Sequence, residues 1–217
     1  MNHFINKAML APNVMEVPVD PAIVAEFATR DGAAETDWQS VSPGWGSDIV
    51  WLSASTPSGH ARFESAFERI GVAGHVRAYL DIDREVRLYA GFVIVRRRCA
   101  EPHFHVDWVK ADNQAFTMLT PVSANAGELG LLYRKLTGEI GEYRYKPGKA
   151  LIFGDHFSHS TQPGESKEPI ALLCFEFGTD RMEHWERINA TIGYQTRFLR
   201  RPDGAFVETA LAGREGG

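Results

Sequence analysis

The spacing of apolar residues divides the chain into a first region with helices and a longer region made of short strands. Three segments have helical spacing or helix-start signals: 18–29, 58–70 and 180–192. In 58–70 the apolar residues recur at the i, i+3, i+4, i+7 positions of one helix face. In 18–29, Asp20-Pro21 precedes the apolar residues, which is a typical helix start. These features predict helices that flank the rest of the protein.

From residue 86 onward, the sequence consists of short runs rich in β-branched and aromatic residues, separated by Gly, Pro, Asn and Asp. The runs are 86–98, 103–109, 115–121, 130–133, 142–145, 150–153 and 170–177. A last hairpin is predicted within 197–207. Many short strands with turn signals between them indicate a β-sandwich or barrel.

Composition favours one domain over the whole chain. The 217 residues are 44% hydrophobic and 24% charged, which is ordinary for a globular protein with a sizeable core. We expect a single domain, 1–217, with three regions. Residues 1–85 form a helical and loop region that packs on the barrel, residues 86–178 form the β core, and residues 179–217 form a helix with a tail.

Charge and targeting signals narrow the partners. The formal net charge of -5 offers no general attraction to nucleic acid or anionic lipid. No apolar run approaches the ~18 residues of a membrane helix, and no signal-peptide pattern is present. The two cysteines, Cys99 and Cys174, do not make a disulfide framework. We therefore expect a cytoplasmic protein that binds neither nucleic acid nor membrane.

One segment of the first region is rich in Gly, Ser and Pro. It spans 32–59 and contains Trp38, Trp45 and Trp51. Such a composition predicts an ordered loop that packs its aromatic residues on the core. This loop is our candidate for the cover of a pocket.

The chemistry concentrates in two histidine-containing segments of the β-rich region. Alternate side chains share one face of a strand, so His103, His105 and Asp107 are expected to point the same way. Three ionisable groups in a row cannot be buried without a partner, so they either face solvent or bind something. His156 and His159 follow the run 150–153 and can supply a further ligand. Two histidines and one carboxylate form the facial triad of non-haem Fe(II) oxygenases.

The order of these motifs resembles the Fe(II)/2-oxoglutarate-dependent dioxygenase superfamily. The HxD motif would be His105-Val106-Asp107, and the distal histidine would be His159, after the strand text PGKALIFGDHFSH. The resemblance covers roughly residues 86–178 and implies a mainly β fold, a double-stranded β-helix (jelly-roll) core with flanking helices. His156 remains a competitor of His159 as distal ligand, and His103 could join the site in an HxH arrangement.

The resemblance implies a function as well as a fold. The cofactors would be Fe(II) bound by His105, Asp107 and His159, with 2-oxoglutarate and O2 as co-substrates. A small molecule would be oxidised, most simply by hydroxylation, with succinate and CO2 as co-products. Desaturation, ring closure and epimerisation remain open, as does the identity of the substrate. A homodimer is an option that jelly-roll strand edges offer, and no residue decides it.

The chain departs from the family pattern in one respect. Members usually bind the distal carboxylate of 2-oxoglutarate through an Arg on the strand after the distal histidine, and here that stretch, SKEPIALLCFEF, has none. The replacement candidates are Lys167, Arg97 and Lys149. The missing Arg also keeps two alternatives open. One is a cupin-type metal-dependent dioxygenase or isomerase without 2-oxoglutarate, and the other is a non-catalytic jelly-roll that binds a ligand.

Overall fold

The computed structural model of the protein describes residues 4–28, 37–42, 49–109 and 111–209. The strands are β1 (Ile5–Asn6), β2 (Ala11–Pro12), β3 (Val14–Pro18), β4 (Trp38–Val41), β5 (Ile49–Ala54), β6 (Arg87–Cys99), β7 (Ala115–Pro121), β8 (Leu131–Arg134), β9 (Ile140–Tyr143), β10 (Lys149–Phe153), β11 (His159–Thr161), β12 (Gly164–Gly178), β13 (Phe198–Arg200) and β14 (Phe206–Glu208). The helices are α1 (Pro21–Ala25), α2 (Pro57–Ile70), α3 (Val72–Val76) and α4 (Trp185–Ile192). The prediction of a mainly β fold with flanking helices is confirmed.

Two antiparallel sheets face each other and enclose the space where the site lies. The larger sheet has seven strands in the order β3-β10-β7-β12-β6-β5-β4. The smaller has three strands in the order β11-β8-β9. One apolar cluster contains side chains from both sheets, among them Leu131 and Tyr133 from β8 and Leu119 from β7. The inner faces of the two sheets therefore form the walls of one interior.

The other face of the large sheet is covered by helices, so its central strands are apolar on both sides. Along β12, Leu173, Phe175 and Phe177 pack in the cluster that also contains residues of α1 and α2. The alternate residues Leu172 and Cys174 pack in the cluster between the sheets. A strand buried on both faces reads as a continuous apolar run, which is why residues 170–175 of β12 show no polar alternation.

Helix α2 shows how the helical layer is set on the sheet. It begins after Thr56, whose side chain accepts a hydrogen bond from the Gly59 amide, and ends at Gly71, which has a φ of 74°. A Cβ at Gly91 of β6 would lie 2.4 Å from the Phe63 ring of α2. Gly91 therefore allows the helix to approach the strand closely. Among the described residues, no helix is long and apolar enough to cross a membrane.

Two predictions about local structure were wrong. The segment 32–59 is not one long loop, because Trp38–Val41 and Ile49–Ala54 form β4 and β5 and extend the large sheet by two strands. The segment 103–109 is not a regular strand either, because it pairs only through an isolated bridge between His105 and His159. In both places cross-strand pairing decides the outcome, and a single segment does not encode its pairing partner. Trp45 lies outside the described residues.

Most of the predicted elements lie where the sequence pattern places them, with shifts of their ends, whereas β1, β2, β3, β11 and α3 were not predicted. Helix α2, the strands β6 to β10 and the hairpin β13–β14 all lie where the pattern predicts them. The first 85 residues contribute more than helices and loops, because β3, β4 and β5 belong to the large sheet itself.

Candidate metal centre

Three side chains converge at the open side of the interior between the sheets. His105 and Asp107 come from the extended segment after β6, and His159 is the first residue of β11. One ligand atom from each residue lies within 4.8 Å of the other two. The Asp107 Oδ1 atom is 3.4 Å from His105 Nε2 and 3.6 Å from His159 Nε2. The structure thus brings together the HxD residues and the distal histidine.

Backbone pairing holds the two histidines side by side. The His105 amide donates to the His159 carbonyl at 2.9 Å, and the His159 amide donates back to the His105 carbonyl at 2.9 Å. This reciprocal pair is a local antiparallel bridge, which places the two side chains on one face. Phe153 and Phe157 pack against the His159 ring, at 4.7 and 5.5 Å between centroids.

The tautomer of each histidine follows from its second ring nitrogen. His105 Nδ1 lies 2.9 Å from the His103 carbonyl oxygen, and His159 Nδ1 lies 3.1 Å from the Phe157 carbonyl oxygen. A carbonyl oxygen only accepts, so each Nδ1 carries the proton and donates it. In the neutral imidazoles each Nε2 therefore presents a lone pair toward Asp107.

The Asp107 carboxylate is held from behind by a two-step hydrogen-bond chain. The Thr117 hydroxyl on β7 donates to Asp107 Oδ2 at 2.9 Å, and the indole N–H of the fully buried Trp108 donates to Thr117 Oγ1 at 3.0 Å. Oδ2 is thereby satisfied, while Oδ1 faces the two histidines. Such support orients a metal ligand before the metal binds.

The protonation states follow from burial and from the neighbouring charges. Burial alone would raise the pKa of Asp107, but His159, His105 and Thr117 outweigh it and lower this pKa to about 2. Burial lowers the pKa of His159, and the Asp107 charge offsets only part of this effect. Burial also acts to lower the pKa of His105, but the Asp107 carboxylate, which accepts a hydrogen bond from Nε2 once the ring is protonated, raises it on balance. At neutral pH the site therefore combines an ionised carboxylate with a neutral His159.

This donor set fits a divalent transition metal. Two imidazole lone pairs and one carboxylate oxygen point toward a common place, and acceptors that converge in this way repel one another unless a cation lies between them. Two nitrogens and one oxygen on one side of a metal are the ligands of a facial triad, which leaves the other positions open.

A cavity of about 450 Å³ opens beside the triad, between the two sheets. Its walls combine apolar and aromatic residues with a few polar ones, as is typical of small-molecule sites. The polar residues among its lining include Arg96, Glu101, His103, Thr117, Tyr145, Thr161, Glu176, Thr191, Tyr194 and Gln195.

Arg96 is the arginine that faces this cavity. It is 7% exposed and lies directly opposite Ile170 of β12 in the register of β6 and β12. Its Nη1 donates to Thr161 Oγ1 at 2.7 Å, and its Nε donates to the Arg98 carbonyl at 3.2 Å. Ile170 lies in the stretch after the distal histidine where the family pattern has its Arg. Arg96 therefore supplies a guanidinium from the neighbouring strand.

The three cations that the sequence suggested for 2-oxoglutarate lie elsewhere. Arg97 points to the other side of β6, has a side chain that is 58% exposed, and lies 3.8 Å from Glu165. Lys149 lies 3.7 Å from Glu16 on the neighbouring strand β3. Lys167 is exposed on β12. None of the three is among the residues that line the cavity. For Arg97 the reason is the alternation of side chains along β6.

The competing histidines are also outside the triad. His156 is exposed in the turn before β11, with a φ of 69°. His103 is exposed and lines the cavity, with its ring 6.0 Å from the His105 ring. Trp51 lines the cavity from β5, whereas Trp38 packs on Phe63 with ring centroids 4.9 Å apart.

Glu176 is a cavity residue that the sequence pattern did not single out. It is 1% exposed and lines the cavity on the same face of β12 as Leu172 and Cys174. Burial, and then the Asp107 charge, raise its pKa well above the usual range. A lone carboxylate within the apolar text IALLCFEF was the available signal.

Comparison with known proteins identifies the fold. No protein-family model matches the chain, and no curated protein matches its sequence. Among solved structures, HygX from Streptomyces hygroscopicus with nickel and 2-oxoglutarate bound has a TM-score of 0.59 at 12% identity, over 84% of this chain and 90% of that chain. A prolyl-4-hydroxylase from Pseudomonas putida has a TM-score of 0.53 at 12% identity, over 77% of this chain and 92% of that chain.

A third similar structure is the epimerase SnoN in complex with Fe3+, alpha ketoglutarate and nogalamycin RO. Its TM-score is 0.55 at 12% identity, over 77% of this chain and 79% of that chain. At such identities the likeness establishes a shared fold and not a shared activity. The chain has the jelly-roll fold of Fe/2-oxoglutarate-dependent oxygenases, as the resemblance implied.

Proposed function

We propose that the protein is a non-haem Fe(II)- and 2-oxoglutarate-dependent oxygenase that oxidises a small molecule. The observation that carries the proposal is the convergence of His105, Asp107 and His159 within 4.8 Å in the wall of a cavity that a buried arginine also lines. The similarity of the fold to oxygenases with a metal and 2-oxoglutarate bound supports it.

In this proposal the triad residues hold the metal. His105 and His159 bind it through Nε2, since their Nδ1 protons are engaged by backbone carbonyls. Asp107 binds it through Oδ1, because Thr117 engages Oδ2. When bound, iron supplies the activation of dioxygen that is coupled to decarboxylation of 2-oxoglutarate.

Arg96 and Tyr145 are our candidates for binding the distal carboxylate of 2-oxoglutarate. Arg96 offers a planar fork of donors in a buried place, where a charge-assisted hydrogen bond is strong. Tyr145 is buried and lines the same cavity, and burial raises its pKa, so its hydroxyl keeps the proton that it donates. The reason to prefer a cupin-type enzyme without 2-oxoglutarate was the missing cation. The buried Arg96 supplies a cation that could bind 2-oxoglutarate.

The net reaction that we propose joins one oxygen atom of O2 to the substrate and the other to 2-oxoglutarate. A C–H bond becomes C–OH, and 2-oxoglutarate becomes succinate and CO2. The cavity volume of about 450 Å³ suits a small molecule. HygX has been seen with hygromycin B bound and SnoN with nogalamycin RO, both at TM-scores of 0.55. The two buried free cysteines, Cys99 and Cys174, favour a reducing compartment such as the cytoplasm.

The proposal is tested by anaerobic titration with Fe(II) and then with 2-oxoglutarate. We expect a weak visible band at roughly 500 nm, because 2-oxoglutarate chelates the metal at the two positions that the triad leaves open. Asp107→Ala should abolish the band. Asp83→Ala, the same change at an exposed aspartate outside the cavity, should retain it.

The outcomes separate the candidate functions. A band, followed by succinate release on exposure to O2, supports the oxygenase. Metal binding without the band would favour a metal-dependent enzyme that does not use 2-oxoglutarate. Absence of metal binding in the wild-type protein would refute both enzyme functions.

A further inference from the structure

The cavity extends beyond the triad to a second polar end, built around Glu176. In the register of β12 and β7, Glu176 lies directly opposite Thr117, the residue that supports Asp107. Six residues along β12 separate it from Ile170, the partner of Arg96, which corresponds to about 20 Å of strand. Arg96 and Glu176 thus lie at opposite ends of this stretch of the two strands, and both line the cavity.

Two of the polar atoms at this end are hydrogen-bond acceptors that no donor among the described residues reaches. The Glu176 carboxyl is hydrogen-bonded to the Gln195 side chain, but its Oε2 atom is buried without a partner among the described residues. The Gln195 Oε1 atom is likewise buried, and no donor in the described ranges reaches it. Glu176 is 1% exposed and Gln195 is 7% exposed, and both line the cavity. Two buried acceptors without a donor are costly, unless a ligand supplies the donor.

Aromatic rings surround these acceptors. Phe92 lies opposite Cys174 on the inner face, which makes it a diagonal neighbour of Glu176. The Trp51 ring is 5.7 Å from the Phe92 ring and 6.1 Å from the Tyr194 ring, and all three line the cavity. Burial above all raises the pKa of the Tyr194 hydroxyl, a hydrogen bond with the Gln195 side chain opposes this effect, and the Glu176 charge adds to it.

We propose that this end of the cavity binds a protonated amino group of the substrate, between Glu176 and Gln195 and against the faces of Trp51, Phe92 and Tyr194. This inference rests on the proposed function, because it takes the ligand of the cavity to be the substrate of the oxygenase. It specifies the chemical class of that substrate. An ammonium group offers three donors and a positive charge, so it can donate to both acceptors, and its charge favours the ionised form of Glu176 that burial disfavours. Aromatic faces attract the same charge.

This placement has a consequence for the reaction. Thr117 lies between the triad and the proposed amine site, because its hydroxyl donates to Asp107 and its strand position lies opposite Glu176. An amino group bound at Glu176 would therefore place the neighbouring carbon atoms of the substrate close to the triad. Glu176 is in this sense a specificity-determining residue.

The test compares two probes of equal shape, protonated 2-phenylethylamine and neutral 2-phenylethanol. Binding is measured by calorimetry, both to the protein as isolated and after anaerobic loading with Fe(II) and 2-oxoglutarate. We expect the amine to bind wild-type protein about tenfold more tightly than the alcohol, which reflects a charge-assisted contact. Glu176→Gln should lower the amine affinity about tenfold and leave the alcohol affinity within about twofold, because it removes the charge and keeps the shape. Glu186→Gln is the matched control, since Glu186 is exposed on α4 outside the cavity, and it should change neither affinity.

Several results would overturn the inference. One is equal affinity of wild-type protein for the two probes, which needs no variant and does not depend on folding of the mutant. Another is unchanged amine affinity in Glu176→Gln. A third is loss of the iron and 2-oxoglutarate band in that variant, since Glu176 would then belong to the metal centre. Amine selectivity without any band in the wild type would refute the oxygenase and retain the amine site.

Discussion

Arg96→Gln is the substitution that tests most directly how this chain holds 2-oxoglutarate. Arg96 and Arg97 are adjacent on β6, yet the first is 7% exposed at the cavity wall and the second has a side chain that is 58% exposed beside Glu165. The two positions therefore provide the same chemical change on opposite faces of one strand. The strand pairing is left in place, because only side chains are altered.

The magnitude follows from the burial of the guanidinium. Removal of one partner from a buried charge pair costs about 2–5 kcal/mol, whereas an exposed pair contributes about 0–1 kcal/mol. A loss of about 3 kcal/mol at Arg96 corresponds to an increase of about 150-fold in the dissociation constant of 2-oxoglutarate. Arg97→Gln should change it by less than about twofold. Arg96→Lys should fall between them, because lysine keeps the charge but not the planar fork.

The assay is titration of 2-oxoglutarate into the anaerobic Fe(II)-loaded protein, followed through the visible band. Iron affinity and thermal stability are measured in parallel, so that a folding defect is recognised as such. Wild-type affinity for 2-oxoglutarate in Arg96→Gln would refute the reasoning. So would a large loss in Arg97→Gln, because the anchor would then lie on the other face of β6.

Two further substitutions test the support of the site and the helical layer. Thr117→Val removes the hydroxyl that donates to Asp107, so iron should bind about tenfold more weakly, as isothermal titration would show. Thr120→Val, on the same strand with its hydroxyl bonded to the Lys149 carbonyl, should leave iron affinity unchanged, and equal losses would mean a general effect of β7. Burial, above all, lowers the pKa of His60 from 6.5 to about 4. The unfolded chain therefore takes up this proton first, and stability is lost as the pH falls from about 6.5 toward 4. Between about pH 7.5 and about pH 4.5, His60 should account for a loss of about 2.5 kcal/mol in the free energy of unfolding, as measured with urea. His60→Gln should remove it and His75→Gln, at an exposed histidine, should not; an unchanged pH dependence in His60→Gln would contradict the shift.

Local pattern determined much of this protein. The spacing of Phe63, Ala66 and Phe67 predicts α2, because a helix face depends only on residues three and four apart. The pairing of His105 with Asp107 in one direction is also local, since extended backbone alternates its side chains. Strand runs and turn signals along the chain predicted a β-sandwich or barrel, and the resemblance carried by HxD and the distal His159 implied the jelly-roll core.

The choice between neighbouring residues was decided by tertiary structure. Along β6, Phe92, Ile94 and Arg96 alternate with Val93, Val95 and Arg97, and both sets are apolar before they reach an arginine. Polarity cannot tell the inner face from the outer one, because helices cover one side and the second sheet covers the other. For the same reason the sequence could not decide which arginine of β6 faces the interior, and the structure shows that Arg96 lines the cavity.

The same limit applies to the strands β4 and β5 and to Glu176. The segment around Trp38 and Trp51 has the composition of a loop, but pairing with β6 makes it a component of the large sheet. Glu176 lies in an apolar run, and only the register with β7 places it beside the support of Asp107. Strand pairing and register are properties of two segments together, so no single segment of the sequence determines them.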